Sequence, residues 1–229
     1  MSTSYQDSSV RYEDYPEARH EALRRYQEAV RRLIAVSGII DPEPAALDAV
    51  SATLEAQAAA LEQLDRGRPF LRFRAGVPGD DPNSAIPFSP ISGRYNPMAP
   101  PVEFTTEGQV LVGTVRFNDA YEGPNGCVHG SIVASVYDQM LALANVLAGL
   151  GGPTGSLTIR YLKPTPLHEE LRFEAWTGEV NGRKITAHGR CLAGDVVVTE
   201  SEGLFISLDP NRGYPQWSNR TRSGDASQG

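Results

Sequence analysis

Cysteine and basic charge are both scarce in this chain, and each shortage excludes a class of protein. Cys127 and Cys191 are the only cysteines in 229 residues. Two are too few for a disulfide framework, and they lack the spacing of zinc ligands. The 21 Lys and Arg residues are outnumbered by 28 Asp and Glu, so the formal net charge is −7. We therefore expect neither nucleic acid nor an anionic membrane surface as the main partner.

Long apolar runs and cofactor motifs are also missing. No segment approaches the roughly 18 uninterrupted apolar residues of a membrane span, and the opening MSTSYQDSSVRYEDY contains no apolar signal segment. This predicts a cytoplasmic protein without a membrane span. The sequence contains no P-loop, dinucleotide fingerprint or Gly-x-Ser-x-Gly elbow, and it implies neither a metal nor a redox cofactor.

Composition divides the chain into four parts, which we take as its domain organisation. Residues 1–75 form a helical extension, 76–101 a connector with seven prolines, 102–209 the main domain, and 210–229 a flexible tail of little apolar content. The connector is expected to be irregular and to run over the surface of the main domain.

Within the extension, two apolar patterns predict an antiparallel helical hairpin. Leu23, Tyr26 and Val30 recur at helical spacing in the first helix. The second helix carries a coiled-coil-like seam at steps of three and four, interrupted by Gln57; we call it the leucine seam, and it consists of Leu47, Val50, Leu54, Leu61 and Leu64. We expect the hairpin to pack on the main domain or on its dimer, as a lid that limits the acyl pocket. An independent partner-binding module is the alternative.

The main domain is predicted to be α+β. A strand over 109–117 precedes a long apolar helix that begins near Gly130, and four strands follow over 156–162, 171–180, 183–192 and 196–208. Asn181-Gly182 predicts a type I′ hairpin turn between two of them. Strands joined by hairpins form an antiparallel sheet. A helix with apolar residues on every face is expected inside the protein, which is possible if this sheet wraps round it. The exposed sheet edges favour pairing with a second copy.

The residues before this helix, Gly-Cys-Val-His-Gly-Ser at 126–131, and Asp138 within it predict an active site. Glycine-rich backbone that enters a helix presents unpaired N–H groups and a positive dipole end, which together can hold negative charge. A carboxylate inside an apolar helix is costly to bury, so Asp138 is expected to have a function. The alternative is that Asp138 is an ordinary polar residue on a partly exposed helix, without a function.

Several motifs together resemble a known family. They are Tyr-Glu-Gly-Pro-Asn-Gly-Cys-Val-His-Gly at 121–130, Asp138 nine residues after the histidine, Thr154, Arg-Tyr-Leu-Lys-Pro-Thr-Pro-Leu at 160–167, and Gly-Arg-Lys at 182–184. Over roughly 92–209 the chain resembles the hotdog-fold acyl-CoA thioesterases, in the branch that includes the phenylacetate-pathway thioesterase. Actinobacterial members with an added N-terminal region are especially similar. The resemblance implies an antiparallel sheet wrapped round a central helix.

The resemblance also implies a reaction and roles for particular residues. The reaction is hydrolysis of acyl-CoA, with Asp138 as general base or nucleophile and the backbone N–H of Gly130 as the oxyanion donor. His129 would sit beside the thioester carbonyl, and Thr154 would support the attacking water. Taken alone, His129 could equally be a helix cap and Thr154 an ordinary loop residue. Cys127 suggests a Cys–His nucleophile, but no orienting acid is adjacent, so we favour packing.

Four further residues are candidates for substrate binding. Ser131 replaces the second glycine that the family usually has after the histidine. Asn125 is out of register with an asparagine that some relatives carry where this chain has Gly123, so it receives no catalytic role. Arg183 and Lys184 open a strand after a tight turn and could contact the phosphates of CoA.

Two other functions are open to a chain of this kind. One is a hotdog protein that binds acyl-CoA without turnover and uses the helical hairpin for regulation or partner binding. The other is a hotdog hydratase, which needs an Asp-x-Asn-x-x-His run. The segment that begins at Asp138, Asp-Gln-Met-Leu-Ala-Leu, contains neither that asparagine nor that histidine.

Helix geometry predicts a site shared between subunits. Nine residues of helix correspond to a rise of about 13 Å and a rotation of about 900°, so His129 and Asp138 are expected far apart and on opposite faces. They can act on one substrate only if a second copy supplies one of them. The expected assembly is a homodimer or a dimer of dimers.

Overall fold

The computed structural model describes residues 16–64, 81–84, 86–124 and 126–207. Two helices come first, and a six-stranded domain with a central helix follows. In chain order the elements are α1 (Glu17–Ser37), α2 (Pro44–Glu62), β1 (Glu103–Glu107), β2 (Val110–Arg116), α3 (Gly130–Leu147), β3 (Thr154–Tyr161), β4 (Glu170–Asn181), β5 (Lys184–Ala193) and β6 (Val196–Ile206). The predicted tail at 210–229 and the predicted boundary near residue 75 lie outside the described residues.

All six strands form one antiparallel sheet in the order β1-β2-β4-β5-β6-β3. The predicted α+β class and antiparallel sheet are confirmed. Strand β1 was not predicted, because Phe104 is the only buried residue in its sequence Glu-Phe-Thr-Thr-Glu and no apolar alternation marks it. Its pairing with β2 is decided by tertiary contact rather than by its own pattern.

Helix α3 packs its apolar side into the inner, concave face of this sheet. Six of its eight buried residues recur at steps of three and four: Val133, Val136, Tyr137, Met140, Leu141 and Ala144. Leu143 and Asn145, near the end of the helix, are also buried. The sheet comes close to the helix at Gly189, where an added Cβ would lie 3.0 Å from Cε1 of Tyr137 and 2.8 Å from Oγ of Ser201. A side chain at this position would push the helix away from the sheet.

The other side of α3 is open to solvent in the single chain. Ser131 and Asp138 are exposed and Ser135 is half-buried, and the three residues share one helix face because they are spaced by four and three. The expectation that Asp138 is buried inside the protein is therefore wrong for one chain. The six strands of the described sheet cover the other side of the helix.

The hairpin between β4 and β5 is where it was predicted, but its turn is shifted by one residue. Asn181 pairs with Lys184, so the two loop residues are Gly182 and Arg183. Gly182 has a φ of 59°, whereas neither Asn181 nor Arg183 has a positive φ. The predicted type I′ turn at Asn181-Gly182 is wrong, because that turn needs positive φ at both residues.

The described part of the proline-rich connector, residues 81–84 and 86–101, is irregular as predicted but is packed into the structure rather than laid over it. Ser89, Tyr95, Asn96 and Ala99 are all buried. The Ser89 hydroxyl donates to the Gln139 side chain on α3, 3.1 Å away. The connector thus reaches the helix residue next to Asp138.

The two N-terminal helices differ in how they contact the rest of the protein. Helix α1 lies against the connector: Nη2 of Arg31 donates to the Gly93 and Asn96 carbonyls at 3.3 and 2.9 Å. Helix α2 is described throughout and buries none of its residues, and the leucine seam is exposed, with Leu54 at 42% and Leu64 at 70%. The two predicted helices are confirmed. In the single chain the leucine seam is exposed and does not pack on the main domain, and its packing on a dimer stays a prediction.

Among the described residues, α3 is the one helix long and apolar enough to meet the composition of a membrane span. It is also the core helix of the sheet, with Val133, Tyr137 and Met140 fully buried by protein. Such a helix passes the same test in a folded domain, so it is weak evidence for a span. The cytoplasmic location stays a prediction.

The buried hydroxyl of Tyr137 gives a test of how α3 is held in the sheet. It bonds the Thr199 carbonyl at 3.0 Å and the Thr199 hydroxyl at 2.7 Å. Tyr137→Phe leaves these buried groups without their partner, so we expect the free energy of unfolding to fall by about 1–3 kcal/mol. Urea denaturation at fixed protein concentration measures it. Tyr26→Phe, on the exposed face of α1, is the matched control, and equal losses in the two variants would contradict this packing.

Candidate active site

The segment from Tyr121 to Gly130 is held by backbone contacts that place His129 at the start of α3. The His129 N–H donates to the Tyr121 carbonyl at 2.8 Å, and Glu122 and Val128 form a backbone bridge. The Glu122 carboxylate accepts from the Gly126 N–H at 2.7 Å. This loop therefore delivers His129 to the helix in a defined position.

His129 caps α3. Its Nδ1 accepts from the Ser131 N–H at 3.1 Å and lies 2.7 Å from the Ser131 hydroxyl. Because Nδ1 accepts a backbone N–H, the neutral ring carries its proton on Nε2. Capping was one of the two alternatives for this histidine, and it leaves the Nε2–H as a donor. Ser131, the candidate in place of the usual glycine, supports the histidine ring.

Gly130 presents the free N–H of this helix start. The neighbouring N–H groups of His129, Ser131 and Ile132 all have acceptors within the loop and cap. Within the described part of the chain, no acceptor is bonded to the Gly130 N–H. An unpaired N–H at the positive end of the α3 dipole suits a developing negative oxygen.

Tyr161, the last residue of β3, lies beside this helix start. Its hydroxyl donates to the Gly130 carbonyl at 2.8 Å, and an added Cβ on Gly130 would lie 3.2 Å from that hydroxyl. Partial burial raises the pKa of Tyr161, which keeps the hydroxyl protonated as a donor at neutral pH. In the sequence, Tyr161 is marked only as one residue of the motif at 160–167, and no role was predicted for it. Its contact with Gly130 joins residues 31 positions apart and has no local sequence signal.

Asp138 and Thr154 are brought together by the other end of β3. The Thr154 hydroxyl donates to Oδ1 of Asp138 at 2.7 Å. One carboxylate oxygen is thereby engaged and Oδ2 is left to accept from another group. Both residues are exposed in the single chain. The sequence did not predict this bond, and the expected role of Thr154 in supporting the attacking water stays a prediction.

The two halves of the candidate site are too far apart for one substrate carbonyl. The helix is continuous from Gly130 to Asp138, and eight residues correspond to about 12 Å along its axis. The expectation that His129 and Asp138 lie on opposite faces stays a prediction. His129 is the cap of the helix rather than part of its turns, and its ring bonds Ser131. The axial separation remains.

The loop also explains one departure from the family pattern. An added Cβ at Gly123 would lie 2.7 Å from Cα of His129, so this loop conformation excludes the asparagine that some relatives have there. Asn125, the candidate out of that register, lies outside the described residues.

Arg183 and Lys184 lie at the end of the sheet that carries Thr154. Thr154 pairs with Phe205, and Phe205 pairs with Ile185, so two strand spacings, about 10 Å, separate the Thr154 backbone from the start of β5. Nε of Arg183 donates to the Ser207 carbonyl at 3.0 Å. The two cations are thus on the Asp138 side of the candidate site, not at the helix start.

A cavity of about 400 Å³ lies on the outer face of the sheet, away from α3. Outward side chains of four strands line it, including Arg160, Trp176, His188 and Arg190. It contains none of the predicted site residues. The described residues hold no cluster of three His, Cys, Asp or Glu side chains able to bind a metal ion.

The chain is similar to known thioesterase proteins in both sequence and structure. Residues 125–199 match the family model of the thioesterase superfamily. A solved thioesterase superfamily protein, RHA08564, is 32% identical with a TM-score of 0.73, and the match covers 81% of this chain and 90% of that one. Acyl-coenzyme A thioesterase THEM4 of Xenopus laevis is 31% identical over 91 residues, 39% of this chain and 41% of the frog protein. The chain thus matches less than half the length of that relative.

The two cysteines allow a test of which thiol the folded protein exposes. Burial raises the pKa of the Cys191 thiol to about 12, whereas Cys127 is half-buried in the loop before His129. Since the thiolate is the reactive form, a thiol reagent at pH 8 should leave Cys191 of the folded protein unlabelled. In Cys127→Ala we expect no labelled thiol before denaturation and one after it. Rapid labelling of the folded variant would contradict this assignment.

Proposed function

Because the chain belongs to the thioesterase superfamily, we propose that it hydrolyses an acyl-CoA, or a related acyl thioester, to the free acid and the thiol. Family membership supports thioester hydrolysis as the reaction class. The identity to an acyl-coenzyme A thioesterase over 91 residues supports a CoA thioester as the substrate. The observation that carries the proposal is the Asp138–Thr154 hydrogen bond of 2.7 Å, in a chain whose Gly130 N–H is unpaired.

Asp138 activates the water in this mechanism. Thr154 occupies Oδ1, so Oδ2 accepts the water proton while the water oxygen bonds to the thioester carbonyl carbon. The carbon–sulfur bond then breaks, and the proton held by Asp138 passes to the departing thiolate. Direct attack by the carboxylate is the alternative, and water would then hydrolyse the anhydride that it forms.

The start of α3 stabilises the oxygen of the intermediate. The Gly130 N–H points out of the positive end of the helix and can donate to the developing oxyanion. The Nε2–H of His129 lies beside it, because Nδ1 is committed to the helix cap. Tyr161 is a positioning residue here: its hydroxyl donates to the Gly130 carbonyl and so fixes the first turn of α3, next to the Gly130 N–H.

We propose that two copies complete each site. Asp138 and the Gly130 N–H are about 12 Å apart in one chain, whereas general-base and oxyanion contacts each need atoms within about 3 Å of the reacting carbonyl. The open face of α3 and the edge strand β3 are both exposed. Pairing β3 with its copy would cover the edge, and would set the helix start of one chain beside Asp138 of the other.

We place the phosphates of CoA near Arg183 and Lys184. Both are exposed, and they lie at the sheet end that carries Thr154. The acyl chain would extend away from them, along the subunit interface. A hotdog protein that binds acyl-CoA without turnover would use the same surfaces, and release of free thiol separates the two functions.

Replacing the acid tests the chemical step. Asp138→Asn keeps the side-chain shape but removes the base, so we expect kcat to fall by at least about 100-fold with little change in substrate binding. Thr154→Val removes the bond to Oδ1 and should lower kcat by about tenfold. Thiol release from a panel of short, long and aromatic acyl-CoAs measures both effects. Asp48→Asn, on exposed α2, is the control. Full activity of Asp138→Asn would exclude this mechanism.

Mixed dimers test whether the site is shared. Asp138→Asn and Gly130→Val should each give an inactive homodimer, the second because a side chain blocks the approach to the N–H. A mixed dimer has one site with both changes and one with neither. Random exchange should restore about a quarter of wild-type activity, since half the dimers have one good site of two. If both variants fold and exchange subunits but no activity returns, the site lies within one chain.

The CoA contact predicts a difference between substrates. Arg183→Ala combined with Lys184→Ala should raise KM for an acyl-CoA several-fold, but leave KM for the matching pantetheine thioester unchanged, because only CoA carries the nucleotide phosphates. Arg160→Ala is the matched control, since Arg160 is exposed and paired with Glu200 at 3.3 Å. An equal rise for both substrates would remove this role.

A further inference from the structure

Helix α2 has the composition of a buried helix but is exposed in the single chain. Twelve of its 19 residues are Ala, Val or Leu, and they occur on every face. A helix of this kind is normally covered by protein, and a helix of this length gains most of its stability from packing. None of its residues is buried by the described part of its own chain. We therefore looked for a surface that would cover it.

The leucine seam has the spacing that packs against another helix of the same kind. Its members alternate by three and four residues, with Gln57 in the same line, so they follow one side of α2 from Leu47 to Leu61. This line is about 21 Å long, and Leu64 continues it two residues beyond the end of the helix. Apolar side chains at this spacing fit between those of an equivalent line on a facing helix.

The residues that flank the leucine seam favour a second copy of the chain as the partner. They are small and uncharged: Ala46, Ser51, Thr53, Ala58 and Ala60. Helix pairs that select a different partner do so through complementary charges at these flanking positions, and α2 carries none there. The Thr53 hydroxyl donates to the Ala49 carbonyl of its own helix at 3.0 Å, so a facing helix can cover it without leaving it unpaired.

The charges of α2 lie away from the leucine seam. Asp48, Glu55 and Glu62 are spaced by seven residues, and their stripe is turned by about 130° from the middle of the seam. Two copies can therefore meet through their seams without bringing these carboxylates together. Residues 44–62 include no Lys or Arg, and an acidic helix is poorly suited to the anionic surface of a membrane.

We propose that α2 pairs in parallel with α2 of a second copy, through the leucine seam. Gln57 decides the direction. In a parallel pair it faces Gln57 of the other copy, and the two amides can form a hydrogen bond with each other. In an antiparallel pair it faces Leu54, and its amide is covered without a partner. This contact is separate from the proposed pairing of β3, and it does not depend on the thioesterase reaction.

Disulfide trapping in the full chain tests the pairing. Val50→Cys is combined with Cys127→Ala, which leaves Cys191 as the native thiol, and burial raises its pKa to about 12. In a parallel pair the two introduced thiols face each other within reach of a disulfide. Ala52→Cys, on the opposite side of α2 and equally exposed, is the matched control. After mild oxidation at low protein concentration, we expect Val50→Cys to give at least ten times more covalent dimer on a non-reducing denaturing gel.

A charge on the seam should prevent the trapping. Leu54→Glu, one turn from Val50, should lower the dimer yield of Val50→Cys at least tenfold, whereas Ala59→Glu, on the opposite side, should leave it unchanged. Both residues are exposed in the single chain, so both variants should keep its fold, and circular dichroism checks this. Equal yields from Val50→Cys and Ala52→Cys, or no dimer from either, would overturn the pairing.

The direction of the pair has its own test. In an antiparallel pair Val50 faces Leu61 of the other copy and lies about 16 Å along the helix axis from Val50 of that copy. A covalent dimer from the double variant Val50→Cys with Leu61→Cys, but not from Val50→Cys alone, would therefore overturn the parallel arrangement.

Discussion

The sheet covers α3 on one side only, and the rest of the candidate site depends on this. Tyr137, Met140 and Leu141 anchor the helix in the concave face, while the stripe of Ser131, Ser135 and Asp138 stays open. Edge strand β3 runs along this open side and contacts the helix at both ends of the stripe. The Thr154 hydroxyl donates to Asp138, and the Tyr161 hydroxyl donates to the Gly130 carbonyl. One strand thus sets the acid and the helix start in position.

The Thr154–Asp138 and Tyr161–Gly130 contacts also explain why the acid and the free N–H of a single chain are too far apart to act on one substrate. They lie at opposite ends of β3, and the helix between them rises by about 12 Å. The strand and the helix are both rigid, so no loop movement within one chain can close that distance. A surface that joined the acid of one copy to the free N–H of another would turn this separation into two equivalent sites. The edge of β3 is the surface at which we propose this pairing.

The connector links the regions that the fold otherwise keeps apart. Its buried residues bond α3 through Ser89 and α1 through the carbonyls of Gly93 and Asn96. Proline has no backbone N–H, so a segment rich in proline forms few of the hydrogen bonds of helices and strands. Its backbone groups form hydrogen bonds with side chains and within turns instead. The N-terminal helix α1 is therefore joined to α3 through the connector.

Local pattern was enough to predict most elements of this protein. Apolar periodicity located α1, α2 and α3, turn residues located the hairpin after Asn181, and motif spacing singled out Gly130, Asp138 and Thr154. Each of these signals depends on residues close together in the sequence. The tertiary structure alone decided the pairing of β1, the burial of the connector, the contact of Tyr161 with Gly130 and the exposure of Asp138. Those features depend on residues far apart in sequence and on how much of α3 six strands can cover, which no local periodicity encodes.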